Sequence, residues 1–404
     1  SVSRTISSAT GGNFESLVID AAAATTTVTD TIDVTTATLT ATPSVAEGGT
    51  ITYTVSLAAP VAGSPVTVTL ANGEVITIGV GDSSGTATAT APDNAYSGGG
   101  SVTNSIASVS GGNFENLAPN TAPVTTTVTD DVDVTTVSLA ATASVAEGGS
   151  IVYTATLTNA ADTPVTVTLS TGQTITIAAG ATTGTVSIAA PVDDPYVDAG
   201  SVSRTISSAT GGNFESLVVN ATPAVTTVTD TIDTTTLSIT GSASVTEGAS
   251  GSYTVSLTSP AQTAVTVNLT YSGTAANGTD YTGVATVTIA AGTSSATFNI
   301  ATLDDTIDEV TAESFAVSVA SATGGNFENL VVSGTNNSVT TTIVDNDPAP
   351  TITVSSPTVG EAGGFAQFTI GLSHPSSQAV TLDLALANGT ASGGGVDFGA
   401  GLEV

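Results

Sequence analysis

Apolar and polar residues alternate with a period of two along nearly the whole chain, in short runs such as Val165-Thr166-Val167-Thr168-Leu169. That spacing sends successive side chains to opposite faces, the mark of half-buried strands. Within residues 134–233 it predicts strands at 136–141, 151–157, 165–170, 173–177, 183–189, 202–207 and 224–229. Turn residues separate them: Thr171-Gly172, Ala179-Gly180, Asp194-Pro195 and Gly211-Gly212. No long stretch carries the 3.6-residue period of a helix. Threonine on the outward positions suits a sheet that is wet on one face. Seven or so short strands in about 100 residues is the count of an immunoglobulin-like sandwich. The expected fold class is all-β, built of antiparallel β-sandwich modules.

Self-comparison shows how many modules there are. Residues 1–18 recur identically at 201–218, and 101–117 is a near copy. A fourth copy at 318–330 lies further on than the period requires, so its module carries an insertion. A second phrase, Val45-Ala46-Glu47-Gly48-Gly49, returns at 145–149, 245–249 and 359–363. Placing boundaries between the phrases predicts the end of one module at 1–33, complete modules at 34–133, 134–233 and 234–347, and the start of another at 348–404. The chain therefore reads as a window on a longer array.

Composition narrows the function. The 404 residues hold two arginines, no lysine and thirty-four acidic residues, for a net charge of −32. Such a surface repels nucleic acid and anionic membranes. Cysteine is absent, so disulfides and thiolate metal sites are excluded. No apolar run is long enough to span a bilayer as a helix.

The acids gather where modules meet. Thr229-Asp230-Thr231-Ile232-Asp233 closes one strand and opens the next, as do 29–33, 129–133 and Val344-Asp345-Asn346-Asp347. Following alternate strand ends of 234–347 to one pole collects Glu247, Asp280, Asp304, Asp305, Asp308, Glu309, Glu313, Asp345 and Asp347. In the shorter modules the same reading collects Asp30, Asp33, Glu47, Asp93, Asp130, Asp131, Asp133, Glu147, Asp193, Asp194, Asp230 and Asp233. Anions so crowded, with almost no cation to pair them, point to a hard divalent ion. Oxygen-only ligands on loops match Ca²⁺ better than Zn²⁺ or Mg²⁺. The plainer reading is an acidic, solvated surface.

Glu247-Gly248, Gly278-Thr279-Asp280-Tyr281, Asp304-Asp305 with Glu309 and Glu313-Ser314-Phe315, and Ile343-Val344-Asp345-Asn346-Asp347 resemble the Calx-β motif in order and spacing. The interval from Glu309 to Glu313 is one residue longer than that motif's usual form. Glu361 and Gly395-Val396-Asp397-Phe398 extend the resemblance into the next module. It implies that the matching acids bind Ca²⁺ at the end facing the following module. The two 100-residue modules lack the Gly-Thr-Asp-Tyr phrase. They resemble instead the extender repeats of giant bacterial adhesins exported by type I secretion. That resemblance implies a cell-surface or secreted protein of adhesion and biofilm, whose partners are calcium ions and neighbouring repeats of the same chain. The alternative is a self-assembling filament, matrix or S-layer protein, in which other copies are partners too.

Other signals are weaker. His374 sits in a Ser-His-Pro turn without a second histidine, cysteine or lysine, so a catalytic or zinc role has no partners. The triple glycines at 98–100 and 393–395 lack the lysine and helix of a phosphate loop. Carboxylate pairs such as Asp304-Asp305 lack the tryptophan-lined cleft of a glycosidase. The chain is not expected to be an enzyme. Arrays of saccharide-binding modules would need exposed tyrosines, whereas Tyr53, Tyr153 and Tyr253 fall on core positions. Arg4 and Arg204 share one repeat position and are expected to pair with a nearby acid. Phe14, Phe114, Phe214 and Phe327, each followed by a glutamate, are expected to plug the joint with the preceding module, the glutamate reaching its ion.

Overall fold

The computed structural model describes residues 1–309, 311–360, 363–387, 389–391, 393, 395 and 399. Glu361, Val396, Asp397 and Phe398 of the sequence reading lie outside them. The chain divides into two compact units, Ser1–Thr142 with Val152–Ile188 and Ser203–Val225, and Ala143–Ile151 with Ala189–Val202 and Thr226–Val404. The fold is all-β, a tandem set of β-sandwich repeats. Among the described residues no helix is long and apolar enough to cross a membrane.

In the first unit, residues 34–133 show how the alternation becomes a core. Thr50–Leu57 buries Ile51, Tyr53, Val55 and Leu57 and turns Thr52 and Thr54 outward. It pairs antiparallel with Val34–Ala41 on one side and Ser84–Thr90 on the other. Facing this sheet, Val66–Leu70 pairs with Val75–Ile78 and Ile106–Gly111. A third sheet orders Ser44–Ala46, Val124–Thr129 and Gly100–Asn104. Leu39, Val55, Val68, Ile76 and Ile106 meet in one dry cluster between the layers. Each side chain of this size contributes about 1.5–3 kcal/mol when fully buried.

The second unit contains the long repeat. Its layers are two five-stranded sheets, because Glu313–Gly324 runs unbroken through both pairings with Val265–Gly273 and Ser338–Val344. In the shorter repeat the equivalent chain is interrupted at Ser105, between Gly100–Asn104 and Ile106–Gly111, where it changes sheets. Buried Asn104 covers the break: its Oδ1 accepts from Asn72 N (3.2 Å) and Ser105 N (3.0 Å). In the long repeat the insertion seats Tyr281 against Phe315, ring centres 4.3 Å apart, within the core that holds Leu237, Val255 and Val267.

Three features depart from the sequence expectation. The predicted strand at 202–207 is two strands, Gly200–Arg204 and Ile206–Gly211. Two short strands went unpredicted, Ser144–Ala146 and Ser216–Val219, and the repeats on either side carry the same pair. They are three or four residues long, too short for alternation to register, and both pair parallel with a neighbour in an otherwise antiparallel sandwich. Among the described residues Arg204 meets no acid. Its Nη1 donates to Ser203 O (3.3 Å) and its Nε is buried without a partner.

The Gly-Gly-Asn-Phe phrase has a local backbone cause. Gly324, Gly325 and Asn326 all adopt positive φ, at 101°, 85° and 60°. This curl folds Phe327 back over Gly325, where a Cβ would lie 2.3 Å from the ring. Only glycine fits there. Gly325→Ala is therefore expected to lower stability by roughly 1–3 kcal/mol in urea unfolding. Gly334→Ala, where a Cβ meets nothing within 4 Å, is the near-neutral control.

Candidate metal centres at the repeat ends

The unpredicted three-residue strands place the key glutamates. Ser44–Ala46 lies parallel to Val124–Thr129 with Ala46 opposite Thr129, so both chains leave the sheet side by side. Glu47 N then donates to Thr129 O (3.0 Å), which holds Glu47 beside Asp130 and Asp131. The arrangement repeats with Glu147 N on Thr229 O (3.0 Å) and Glu247 N on Val344 O (2.9 Å). The glycine after each glutamate has φ of 63°, 66° or 75°. At Gly248 a Cβ would stand 3.1 Å from Asp304 Oδ1, so glycine lets the acidic loop close over the glutamate.

Around Glu47, carboxylate oxygens of Glu47, Asp131 and Glu215 lie within 4.8 Å of one another, and so do those of Asp93, Asp131 and Asp133. Glu215 comes from the Gly-Gly-Asn-Phe-Glu loop of the following repeat. Its Oε2 accepts from Asp133 N (2.6 Å), while Oε1 is buried without a partner. Asn94 donates to both oxygens of Glu47, and Asp130 Oδ2 accepts from Gly98 N (2.6 Å). Burial raises the Glu47 pKa, against the Asn94 backbone bond, and Asp130, Glu215 and Asp93 raise it further.

At the next repeat end the group is Glu147, Asp198 and Asp230. Thr231 stands where the preceding repeat has Asp131, and its hydroxyl donates to Asp193 rather than joining the cluster. Asp194 Oδ1 accepts from Tyr196 N (2.9 Å). Asp233 N donates to Glu328 Oε2 (2.6 Å), as Asp33 N does to Glu115 Oε2 (2.6 Å). Glu147 is only 6 % exposed, yet its Oε2 has no partner; Asp230 Oδ1 and Glu328 Oε1 are orphaned likewise. A hydrogen bond to Asp198, burial and the Asp198, Asp230 and Asp194 charges push the Glu147 pKa up to about 7.

The long repeat gathers Glu247, Asp345 and Asp347. Glu247 is 8 % exposed; its Oε2 and Asp347 Oδ2 are buried without partners. Asp345 is fixed by Glu309 N and Asp347 N (2.9 Å each), which hold its pKa below the ordinary value. Asn346 Nδ2 ties Asp304 Oδ1 (3.2 Å) to the carbonyl of Glu247 (3.1 Å). Asp305 Oδ1 accepts from Ile307 N (2.7 Å), and Asp308 lies beside Asp345. Asp280 accepts from Ala276 N (2.6 Å) and is hydrogen-bonded to Glu313. Burial, then Asp305, Glu309, Asp345 and Asp347, push Glu247 to about 7. Burial and Asp280 do the same to Glu313, and burial also raises Glu309.

Two oxygens that share one ion at about 2.4 Å from each lie no more than about 4.8 Å apart, and all three oxygens of each group meet that limit. The orphaned oxygens supply the independent sign of fit, because a buried carboxylate oxygen without a donor is costly. The residues fit a hard, oxygen-seeking divalent cation. Asp30 is exposed and stands outside these groups. Asp198 escaped the sequence reading because Gly98 occupies its place one repeat earlier; direct comparison of the two repeats is the signal that finds it. Glu215 entered that reading as the glutamate after Phe214, expected to reach the ion of the preceding joint.

Tyr53, Tyr153 and Tyr253 are buried, as their alternation requires. An open groove of about 610 Å³ in the long repeat is lined in part by Tyr271 and Tyr281. Tyr281 is buried there, and Tyr271 is half-buried with its hydroxyl on Val284 O (2.9 Å). Neither of these two rings stands exposed as a saccharide platform.

The LapA domain model matches residues 1–31, 33–131, 133–231 and 233–346, and the Calx-beta domain model matches 345–403. The long repeat, whose acids resemble the Calx-β motif, is thus matched as a LapA domain, and the Calx-beta match falls on the segment after it. No curated protein matches the chain. Among solved structures, the apo Calx CBD1 domain is 22 % identical, covering 28 % of this chain and all of its own, with a TM-score of 0.25. Native Escherichia coli α2-macroglobulin is 11 % identical over 81 % of this chain and 25 % of its own, with a TM-score of 0.20. The methylamine-reacted Salmonella α2-macroglobulin is 12 % identical over 79 % of this chain and 23 % of its own, with a TM-score of 0.19. The chain thus spans about a quarter of either macroglobulin, and scores this low add nothing to the fold.

The raised acids give a pH signature. Glu147, Glu247 and Glu313 keep protons up to about pH 7 when folded, whereas the ordinary glutamate value is 4.5. Between those values the folded state binds more protons than the unfolded one, so its stability falls as pH rises. With divalent metal chelated, the melting temperature is expected to drop from pH 4.5 to pH 7 and then level off. A melt that climbs through this window contradicts the assigned environments.

Proposed function

This chain belongs to the LapA domain family, and on that premise we propose that it is the extender of a bacterial cell-surface adhesin. Its repeats act as a passive spacer, stiffened by Ca²⁺ held at their ends. One observation carries the reading: at successive repeat ends a buried glutamate, Glu147 or Glu247, belongs to a carboxylate triad and has an oxygen without a partner. The chain has two arginines and no lysine to neutralise thirty-four acids. Bound Ca²⁺ supplies the missing positive charge.

The chain's own residues define what would be held. Glu47, Asp131 and Glu215, with Asp93 and Asp133, would serve the first end. Glu147, Asp198 and Asp230 would serve the second, and Glu247, Asp345 and Asp347 the third. Glu215 and Glu328 belong to the repeat that follows the acids they touch, so a cation there would tie one repeat to the next. Asp280, Asp304, Asp305, Asp308, Glu309 and Glu313 line the same pole and would adjust its affinity. Repeats linked in this way add their stabilities as a linear array does. The boundaries 1–33, 34–133, 134–233, 234–347 and 348–404 are the proposed division into modules. Placement outside the cell, with roles in adhesion and biofilm and export by type I secretion, completes the proposal.

Excess Ca²⁺ is expected to raise the melting temperature by roughly 5 °C or more, and Mg²⁺ much less. Small-angle scattering should give a longer, narrower distance distribution with Ca²⁺ than with chelator. Glu147→Gln with Glu247→Gln should remove most of the thermal response. Identical melts and scattering with and without Ca²⁺ would sink the metal reading, leave the acids as solubilising surface, and bring forward a filament of laterally associated copies.

A further inference from the structure

Neighbouring repeats also meet through contacts that use no carboxylate-to-carboxylate pairing. After Ser84–Thr90, Asn94 Oδ1 accepts from Tyr96 N (3.0 Å) in a tight turn that presents the tyrosine. The Tyr96 ring stacks on Phe214 of the following repeat, centres 5.8 Å apart and planes 23° apart. Its hydroxyl donates to Ala160 O (2.8 Å) in the same repeat. The backbones bridge beneath the rings, Ser97 N to Asn213 O (2.9 Å) and Glu215 N to Ala95 O (3.2 Å). Ser97 Oγ adds a bond to Phe214 O (2.9 Å).

The set recurs one repeat later. Tyr196 stacks on Phe327 at 5.6 Å and 26°, and its hydroxyl donates to Pro260 O (2.6 Å). Val197 N reaches Asn326 O (3.0 Å), and Glu328 N reaches Pro195 O (3.1 Å). The two presenting segments, Asn94-Ala95-Tyr96-Ser97 and Asp194-Pro195-Tyr196-Val197, share only the tyrosine outright. Asn94 and Asp194 keep the same turn-forming oxygen. What persists is what the contact uses.

We propose that this is a metal-independent fastener: the tyrosine segment is a plug, and the curled Gly-Gly-Asn-Phe loop of the next repeat is its socket. The plug's partner is a second repeat of this chain. Every bond it makes from one repeat to the next comes from a neutral ring, hydroxyl or backbone group, so the charge on the neighbouring acids alters none of those donors or acceptors; the one carboxylate, Asp194 Oδ1, accepts within the turn that presents Tyr196. In the long repeat the same turn presents Ile307, whose N donates to Asp305 Oδ1 (2.7 Å). That repeat offers neither ring nor hydroxyl at the position, so the plug belongs to the two 100-residue repeats. The fastener stands without the calcium reading.

Hydrogen exchange on the full 404-residue chain tests it, in Ca²⁺ and in chelator. Wild type is expected to keep the amides of Ser97, Glu215, Val197 and Glu328 protected in chelator. Tyr96→Ala with Tyr196→Ala should speed their exchange roughly tenfold or more, while Thr50–Leu57 stays protected as evidence of folding. Tyr96→Phe with Tyr196→Phe, which keeps the stack and loses the hydroxyl bond, should fall between. If chelator alone frees these amides in wild type as fully as the alanine variants do, the proposal is overturned. Failure of the calcium reading appears separately, as a melt indifferent to Ca²⁺.

Discussion

Crowding of like charge at the repeat ends is the constraint on which the rest of this molecule turns. Two cationic side chains cannot offset thirty-four anionic ones, so the ends must manage repulsion by other means. Unit charges about 4 Å apart repel by several kcal/mol at the effective dielectric of a protein surface. Two means are visible. Backbone amides donate to Asp130, Asp345 and Glu215. Protons are retained on Glu147, Glu247 and Glu313 to about pH 7. Even so, one buried oxygen on each of Glu147, Asp230, Glu247 and Asp347 is left without a donor. The proposed Ca²⁺ would supply the positive charge these oxygens lack.

The sheets make this crowding unavoidable. A three-residue parallel strand ends level with the final strand of the repeat, so Glu47, Glu147 and Glu247 each emerge beside the acids that close their repeat. A positive-φ glycine follows each glutamate and gives the next acidic loop room to approach. The sandwich core supplies the rigidity; the ends receive groups that a core would reject.

Charge and ring contacts divide the work at the joint. The acids carry charge that pH and a bound cation would change, whereas the stacked Tyr96–Phe214 and Tyr196–Phe327 pairs are neutral. Glu215 and Glu328 belong to both sets, their backbones in the bridge and their side chains at the acids. Variation between repeats is local. Asp131 becomes Thr231, Gly98 becomes Asp198, and the triad is rebuilt from different members on the same frame.

Period-two alternation, the repeated phrases and the absence of lysine and cysteine determine an all-β array with acidic ends. Those features are local or compositional, and strands that bury one face write them directly into the chain. Most of the acids at the repeat ends were legible for the same reason: antiparallel strands deliver alternate ends to one pole. Which acids share a centre was not. Asp93 joins Asp131 and Asp133, while Asp193 is taken by a threonine hydroxyl and Asp198 comes in from a loop. Those choices depend on distances of a few ångströms across loops remote in sequence. The short parallel strands, the break at Ser105 and the tyrosine plug were likewise decided by tertiary structure. Each is set by pairing with a distant segment, and no periodicity within the chain encodes it.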